Sequence, residues 1–526
     1  MNINCDCANF NKGKTLLHLL ERRLLTLPRV PLAAGMFVWV CLVLRKLNLW
    51  DGVIMSYAFE TGRYSGIKMQ LMDADLESVY YLIRSEFMIA NLLRTSFELV
   101  DRFLLLLSMS VICICLYNIM RLRFLMSSFW SKYALCIFLT FPIWHVLAST
   151  TQTFYIFFLA SCMTGVHLVY KDSKYLRICG CLLIVISFEM NSLLLFTPAL
   201  ALLYSWTENP NGKFKKTITL PVFILLLSTG YWAISRSLTV PSGQYVGYNK
   251  MVQPFTLEGW RVLKQGISDY STFLILPMIG ISITCAAAVL LRSKFTSYDS
   301  GDGLSIRSAI VVVPLSLAAV YPYVLVYKST PVDDFDWLGR HAILLSVPLS
   351  IAITFLVMHL VNQVPAYWGK KLLVALALLV TISPQGFLLA NGLGMKFERE
   401  LVDQKLIQVL KPHRIPSGIV EVVGLPPQVP DHRVYESNYI FYRAYGDSKW
   451  WTRIGPLPDP NFVEPTWKND LRYQTMFIYH PPSKLCRSVV TVDQLYKSSG
   501  IRRIKALLGL HVNTDIIVQS VETRCS

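Results

Sequence analysis

The sequence predicts an all-α polytopic membrane protein of about eleven transmembrane helices, with a small α+β extracytoplasmic domain at its carboxy-terminal end. Three observations predict it. The chain is 53% hydrophobic and only 16% charged, whereas soluble domains carry about 25% charged residues, and its mean hydropathy is +0.44. Apolar stretches approaching the roughly 20 residues that cross a bilayer core of about 30 Å recur from Pro31 to Gly392. The basic residues fall in short loops between those stretches, so the net charge of +17 reads as membrane topology and not as affinity for nucleic acid.

Residues 1–30 carry Lys12, Lys14, Arg22, Arg23 and Arg29 ahead of the first apolar stretch, with no small-residue cleavage site after that stretch. This is the pattern of an uncleaved signal anchor with a cytoplasmic amino terminus. Leu16, Leu17, Leu19, Leu20, Leu24 and Leu25 suit an amphipathic helix on the inner membrane surface. An ordinary charged lead-in is the alternative.

The expected spans are 31–44, 102–120, 133–148, 153–170, 176–188, 192–206, 217–235, 272–291, 308–327, 342–361 and 372–391. With the amino terminus inside, this series puts Arg121, Arg123 and Lys132, then Lys171, Lys174 and Arg177, then Lys213, Lys215 and Lys216, then Arg292, Lys294 and Arg307, then Lys370 and Lys371 on one side. That is the positive-inside arrangement. It requires 176–206 to be two helices meeting at Phe188-Glu189-Met190-Asn191; a single helix would invert every later loop.

The membrane domain is thus 31–391, with outer loops 45–101, 237–271 and 328–341. From residue 392 to 526 the character changes: prolines cluster early, aromatics crowd between Tyr435 and Trp467, and GIVEVVGL and TMFIYH alternate like short strands. Of twelve cysteines, only Cys486 and Cys525 fall in this outer domain. In an oxidising compartment those two are expected to pair.

Candidate chemistry gathers in the first outer loop, NLWDGVIMSYAFETGRYSGIKMQLMDADLESVYYLIRSEF, where Asp51, Glu60, Asp73, Asp75 and Glu77 accompany Arg63, Lys68 and Arg84. Ionisable groups beside a bilayer are costly unless used. Asp51 lies about two helical turns beyond the first apolar stretch, at the headgroup plane, and is the candidate general base; helix N-capping is its structural alternative. Asp73, Asp75 and Asp334 are candidates to hold an acceptor or a divalent cation, Mg or Mn. Arg63, Lys68 and Arg340 are candidates to hold a phosphate, which planar guanidinium grips bidentately. Asp334 and Arg340 belong to a second mixed-charge segment, KSTPVDDFDWLGRHA, which also reads as a solvated loop.

No G-x-x-x-x-G-K-[ST], G-x-G-x-x-G or G-x-S-x-G motif occurs, so the chain carries no signature of its own for ATP-driven transport, a dinucleotide cofactor or a serine hydrolase. The usual zinc-ligand spacings are absent as well.

With Asp51 just past the first span, the Asp73-Ala-Asp75 triplet in a partly helical first loop, many spans and an outer carboxy-terminal domain, the chain resembles the multi-spanning GT-C glycosyltransferases. The resemblance implies a polyprenyl-phosphate-linked sugar as donor, a cell-surface glycan or lipid-linked acceptor, membrane lipids as surroundings, and transfer on the outer face. The Trp50-Asp51-Gly52 sequence departs from the paired acids found at this position in several such families. A bacterial inner membrane is the preferred setting, and an endoplasmic reticulum membrane with a lumenal active face fits the same physics. A polysaccharide polymerase or ligase, and a transporter or flippase of lipid-linked glycans, are the competing classes.

Overall fold

The computed structural model describes residues 51–208, 214–238, 312–324, 337–362 and 367–525, with short gaps at 75, 150–151, 426–431, 460, 467–469, 495–498 and 513, and isolated positions within 33–40, 257–264 and at 326. The described chain is mostly helical, with one small sheet.

Three helices precede the first fully described span: α1 (Asp51–Thr61), α2 (Tyr64–Asp73) and α3 (Glu77–Leu92). Helix α1 is buried without interruption from Gly52 to Ala58, which is the pattern of a core helix and not of a solvated loop. Next come α4 (Phe97–Asn118), which runs through a wider turn to Arg123, then α5 (Ser128–Leu139) and a 3-10 segment, Pro142–Ala148. They are followed by α6 (Thr153–Val169), α7 (Lys174–Ser187), α8 (Leu193–Glu208), α9 (Phe214–Leu238), α10 (Val312–Val324), a 3-10 segment Trp337–Leu345, α11 (Ser346–Asn362) and α12 (Tyr367–Leu410).

Among the described residues the expectation of about eleven spans is not supported. Among the described residues four helical stretches are long and apolar enough to cross a membrane: Phe97–Arg123, Ile218–Ser235, Arg340–Val361 and Leu373–Leu410. A fifth arises if the pair Ser128–Leu139 and Pro142–Ala148, bent by 53°, counts as one span. The bend falls at Pro142, whose ring displaces a backbone donor and stops the α-helical ladder. Helices α6, α7 and α8 have 17, 14 and 16 residues, about 26 Å or less at helical rise, short of a bilayer core of about 30 Å. The expected span 272–291 lies outside the described residues, and 31–44 is described only at scattered positions.

The 176–206 region is two helices, α7 and α8, joined by a turn. Glu189 in that turn accepts from Ser78 of α3 at 2.6 Å and from Tyr231 of α9. Helices α6 and α7 meet at Gly165 and Gly180, where a β-carbon on either would stand 2.9 or 2.8 Å from the other's carbonyl oxygen. Small residues permit this approach.

Helix α12 is 44 residues long, about 66 Å, and so outruns the bilayer core. It continues past Asn391, and its last turns, Val402, Leu406 and Leu410, enter the core of the carboxy-terminal unit. That unit holds β1 (Gly418–Val423), α13 (Val434–Tyr445), β2 (Trp450–Ile454), α14 (Leu471–Phe477), β3 (Cys486–Gln494), α15 (Gly500–Leu507) and β4 (Ile516–Cys525). The sheet order is β2-β1-β3-β4, with β1 parallel to both neighbours and β4 antiparallel to β3. Strand β1 is central and buried at all six positions, as a strand covered on both faces must be. The β3–β4 register sets Cys486 opposite Cys525 with Cα atoms 4.1 Å apart, and the two are joined by a disulfide.

The carboxy-terminal unit does not stand apart from the first loop. Tyr435 and Tyr439 of α13 belong to the same buried apolar cluster as Val53, Tyr57 and Ala58 of α1. Helix α14 presses on α2 at Gly66, where a β-carbon would lie 2.3 Å from the Thr475 side chain.

Candidate functional site

Helix α13 lies along α1 in the same direction, and each of the two acids of α1 meets a tyrosine. At the start of α1, Asp51 Oδ1 accepts a 3.0 Å hydrogen bond from the Tyr435 hydroxyl. At its end, Glu60 accepts from Tyr439 at 3.3 Å and pairs with Arg443 at 3.3 Å. Tyr435 and Tyr439 are four residues apart and therefore share one face of α13. Between these contacts, Tyr57 meets Tyr442 edge-on at 4.9 Å.

The Asp51 end is fixed from below. Glu436 Oε2 accepts from the Arg433 backbone N–H at 2.9 Å, capping α13, and also receives Arg399 of α12 at 2.7 Å. Both members of the Arg399–Glu436 pair are buried. A buried pair of this kind is held together strongly, because losing one partner strands the other charge. It locks Arg433 and Tyr435 in place beside Asp51.

Burial raises the Asp51 pKa above the usual carboxylate value. The Tyr435 hydroxyl, Arg433 and Arg340 pull it back down, and Glu436 pushes the other way. Arg340, buried in the 3-10 segment before α11, therefore lies within electrostatic reach of Asp51 although the two are far apart in the sequence. The Tyr435 hydroxyl is held protonated by burial and by the Asp51 and Glu436 carboxylates, so it acts as a donor. The result is a carboxylate of raised basicity, a pinned hydroxyl donor and two guanidinium groups in one neighbourhood, a combination suited to proton removal beside a phosphate.

The sequence-based phosphate grouping of Arg63, Lys68 and Arg340 is split by this geometry. Arg340 acts electrostatically on Asp51 at the amino-terminal end of α1, whereas Arg63 follows its carboxy-terminal end, and 11 residues of helix separate the ends by about 15 Å. Arg63 stacks over Tyr57 at 5.9 Å and faces His480. The Tyr57 hydroxyl donates to Ser448 Oγ at 3.2 Å and lies 3.5 Å from His480 Nε2. Burial first, and then Arg63, lower the His480 pKa to about 4, with Asp447 opposing. Lys68 is partly exposed in α2, and Asp73 ends that helix, also partly exposed. Asp75 and Asp334 lie outside the described residues. Among the described residues no three His, Cys, Asp or Glu side chains are arranged to hold a metal ion.

Sequence reasoning reached Asp51 and Arg340 and missed Tyr435, Arg433, Glu436 and Arg399. The accessible signal was the segment VYESNYIFYRAY, whose Tyr435, Tyr439 and Tyr442 recur at helical spacing and mark one aromatic face. Nothing local says which helix that face covers. No family model matches this chain, and neither a curated protein nor a solved structure matches it.

Proposed function

We propose that this protein is a membrane glycosyltransferase that moves a sugar from a polyprenyl-phosphate donor to a glycan or lipid-linked acceptor on the outer face of the membrane. The observation that supports the proposal is the hydrogen bond from Tyr435 to Asp51, a buried carboxylate within electrostatic reach of Arg433 and Arg340. In this reading the acceptor hydroxyl attacks the anomeric carbon, its oxygen forms the new glycosidic bond, and its proton passes to the Asp51 carboxylate. The bond from the anomeric carbon to the phosphate oxygen breaks, and the polyprenyl phosphate leaves with the electron pair. Arg340 and Arg433 hold the charge that grows on it. Asp73, partly exposed on the neighbouring helix, is assigned to acceptor hydroxyls or to a divalent cation such as Mg or Mn.

The setting we propose is a bacterial inner membrane with the amino terminus inside and the carboxy-terminal unit in the periplasm. Profiling lipid-linked sugars after deletion of the gene tests the activity. Accumulation of a polyprenyl-phosphate monosaccharide is the expected result. Accumulation of complete oligosaccharide repeat units would assign the chain to polymerisation or ligation, and an unchanged lipid-linked pool would remove the proposal.

A further inference from the structure

Helix α15 turns its apolar face outward. Ala506 and Leu507 are buried, and Arg502 and Arg503 are held against α12 by Glu398 at 2.9 and 3.7 Å. Arg503 also donates to Asn391 Oδ1 at 2.9 Å. On the opposite side Ile501 is 72% exposed and Ile504 and Leu508 nearly half exposed, with Lys505 at the margin. Positions 501, 504, 505 and 508 fall on one helical face. A surface helix of a water-soluble domain would be arranged the other way round.

What covers this face is indicated by where α15 is fixed. It crosses α12 at Gly394, where a β-carbon would stand 2.8 Å from the Arg503 backbone and Cβ, so glycine allows the two helices to touch. Gly394 lies where the apolar run of α12 gives way to Lys396, Glu398 and Arg399, the level at which a spanning helix leaves the hydrocarbon. Two turns earlier on the same face of α12, Phe387 is 67% exposed. The exposed apolar side chain of the span and the helix that carries Ile501, Ile504 and Leu508 therefore lie on the same side of α12. A basic residue beside aliphatic side chains is the composition of a helix lying in the headgroup layer.

We propose that α15 lies in the outer surface of the bilayer and inserts Ile501, Ile504 and Leu508 among the lipid acyl chains, with Lys505 at the phosphate headgroups, so that the carboxy-terminal unit is docked on the membrane that α12 crosses. The inference rests on α12 spanning the membrane and is independent of the proposed transferase activity. The test places the photoreactive residue benzoylphenylalanine at Ile501 or Ile504 of the full chain, reconstituted in vesicles of phosphatidylethanolamine and phosphatidylglycerol. Phe387 serves as the lipid-facing reference and the exposed Glu522 of β4 as the water-facing one. Irradiation followed by mass spectrometry is expected to find phospholipid adducts at Ile501, Ile504 and Phe387 and none at Glu522. Adducts at Phe387 with none at Ile501 and Ile504, a cross-linked second copy of the chain in their place, or no adduct at Phe387 would each overturn the proposal.

Discussion

The Tyr435 hydroxyl reaches Asp51 at 3.0 Å across 384 positions of sequence. This hydrogen bond joins the helix that follows the first apolar stretch to the first helix of the carboxy-terminal unit, and it stabilises the charged form of Asp51 against burial. Tyr435→Phe removes the donor and leaves the ring packing intact. The Asp51 pKa then rises further, and because a general base acts when deprotonated, the rising limb of the pH–rate profile moves to higher pH. Transfer assays across a pH series check this; an unmoved limb would separate Asp51 from the rate.

Asp51→Asn preserves the shape of the side chain and an acceptor for Tyr435 but cannot take a proton. Transfer activity is expected to fall by roughly 100-fold or more. Stability should not fall with it. A carboxylate whose folded pKa is raised costs stability when ionised, so a neutral amide leaves the melting temperature unchanged or higher at neutral pH. Nearly full transfer activity in the variant would instead return Asp51 to a helix-capping role, which asparagine fills equally well.

Arg340→Lys retains the charge while losing the planar fork. If Arg340 holds the leaving phosphate, the variant loses about 10-fold or more in transfer despite normal expression, because an ammonium cannot grip two phosphate oxygens at once. Wild-type rates with Arg340→Lys would place the phosphate elsewhere. Arg63→Lys, at the other end of α1, is expected to leave the chemical step unaltered.

His480 carries a pH dependence of its own. Its folded pKa is lowered to about 4, whereas an unfolded histidine titrates near 6.5. Below about pH 6.5 the unfolded chain binds a proton that the folded chain refuses, so stability from this site is present above that pH and is lost as the pH falls toward about 4. Thermal unfolding of the purified chain between pH 7.5 and 5 should show a smaller decline for His480→Gln than for the wild type. Parallel declines would show that the residue does not contribute.

The Cys486–Cys525 disulfide closes a separation of 39 residues, for which chain entropy gives about 3 to 4 kcal/mol of stabilisation. Cys525→Ser is expected to lower the melting temperature of the carboxy-terminal unit and to release one titratable thiol at Cys486. Thiol-specific labelling without reductant, followed by peptide mapping, checks the pairing in the native protein. Labelling of both wild-type cysteines under those conditions would dismiss the bond.

Composition and periodicity alone determined that the chain is mostly helical, with helices apolar enough to cross a membrane and a mixed α and β unit after them, because burial of apolar side chains in lipid or in a core imposes local patterns that survive in a linear string. The turn at Glu189 was legible from the placement of the basic loops on either side of it. So was the pairing of Cys486 with Cys525. Span number was not: Pro142 bends one apolar stretch, and α6, α7 and α8 are shorter than a bilayer, and hydropathy by itself does not distinguish a crossing helix from a buried one. The neighbours of Asp51 were beyond reach as well. Tyr435 and Arg433 come to it, and Arg399 to their neighbour Glu436, through the packing of α13 between α1 and α12, a long-range contact fixed by shape and burial over the whole chain, whereas spacing along a sequence reports only what one element does by itself.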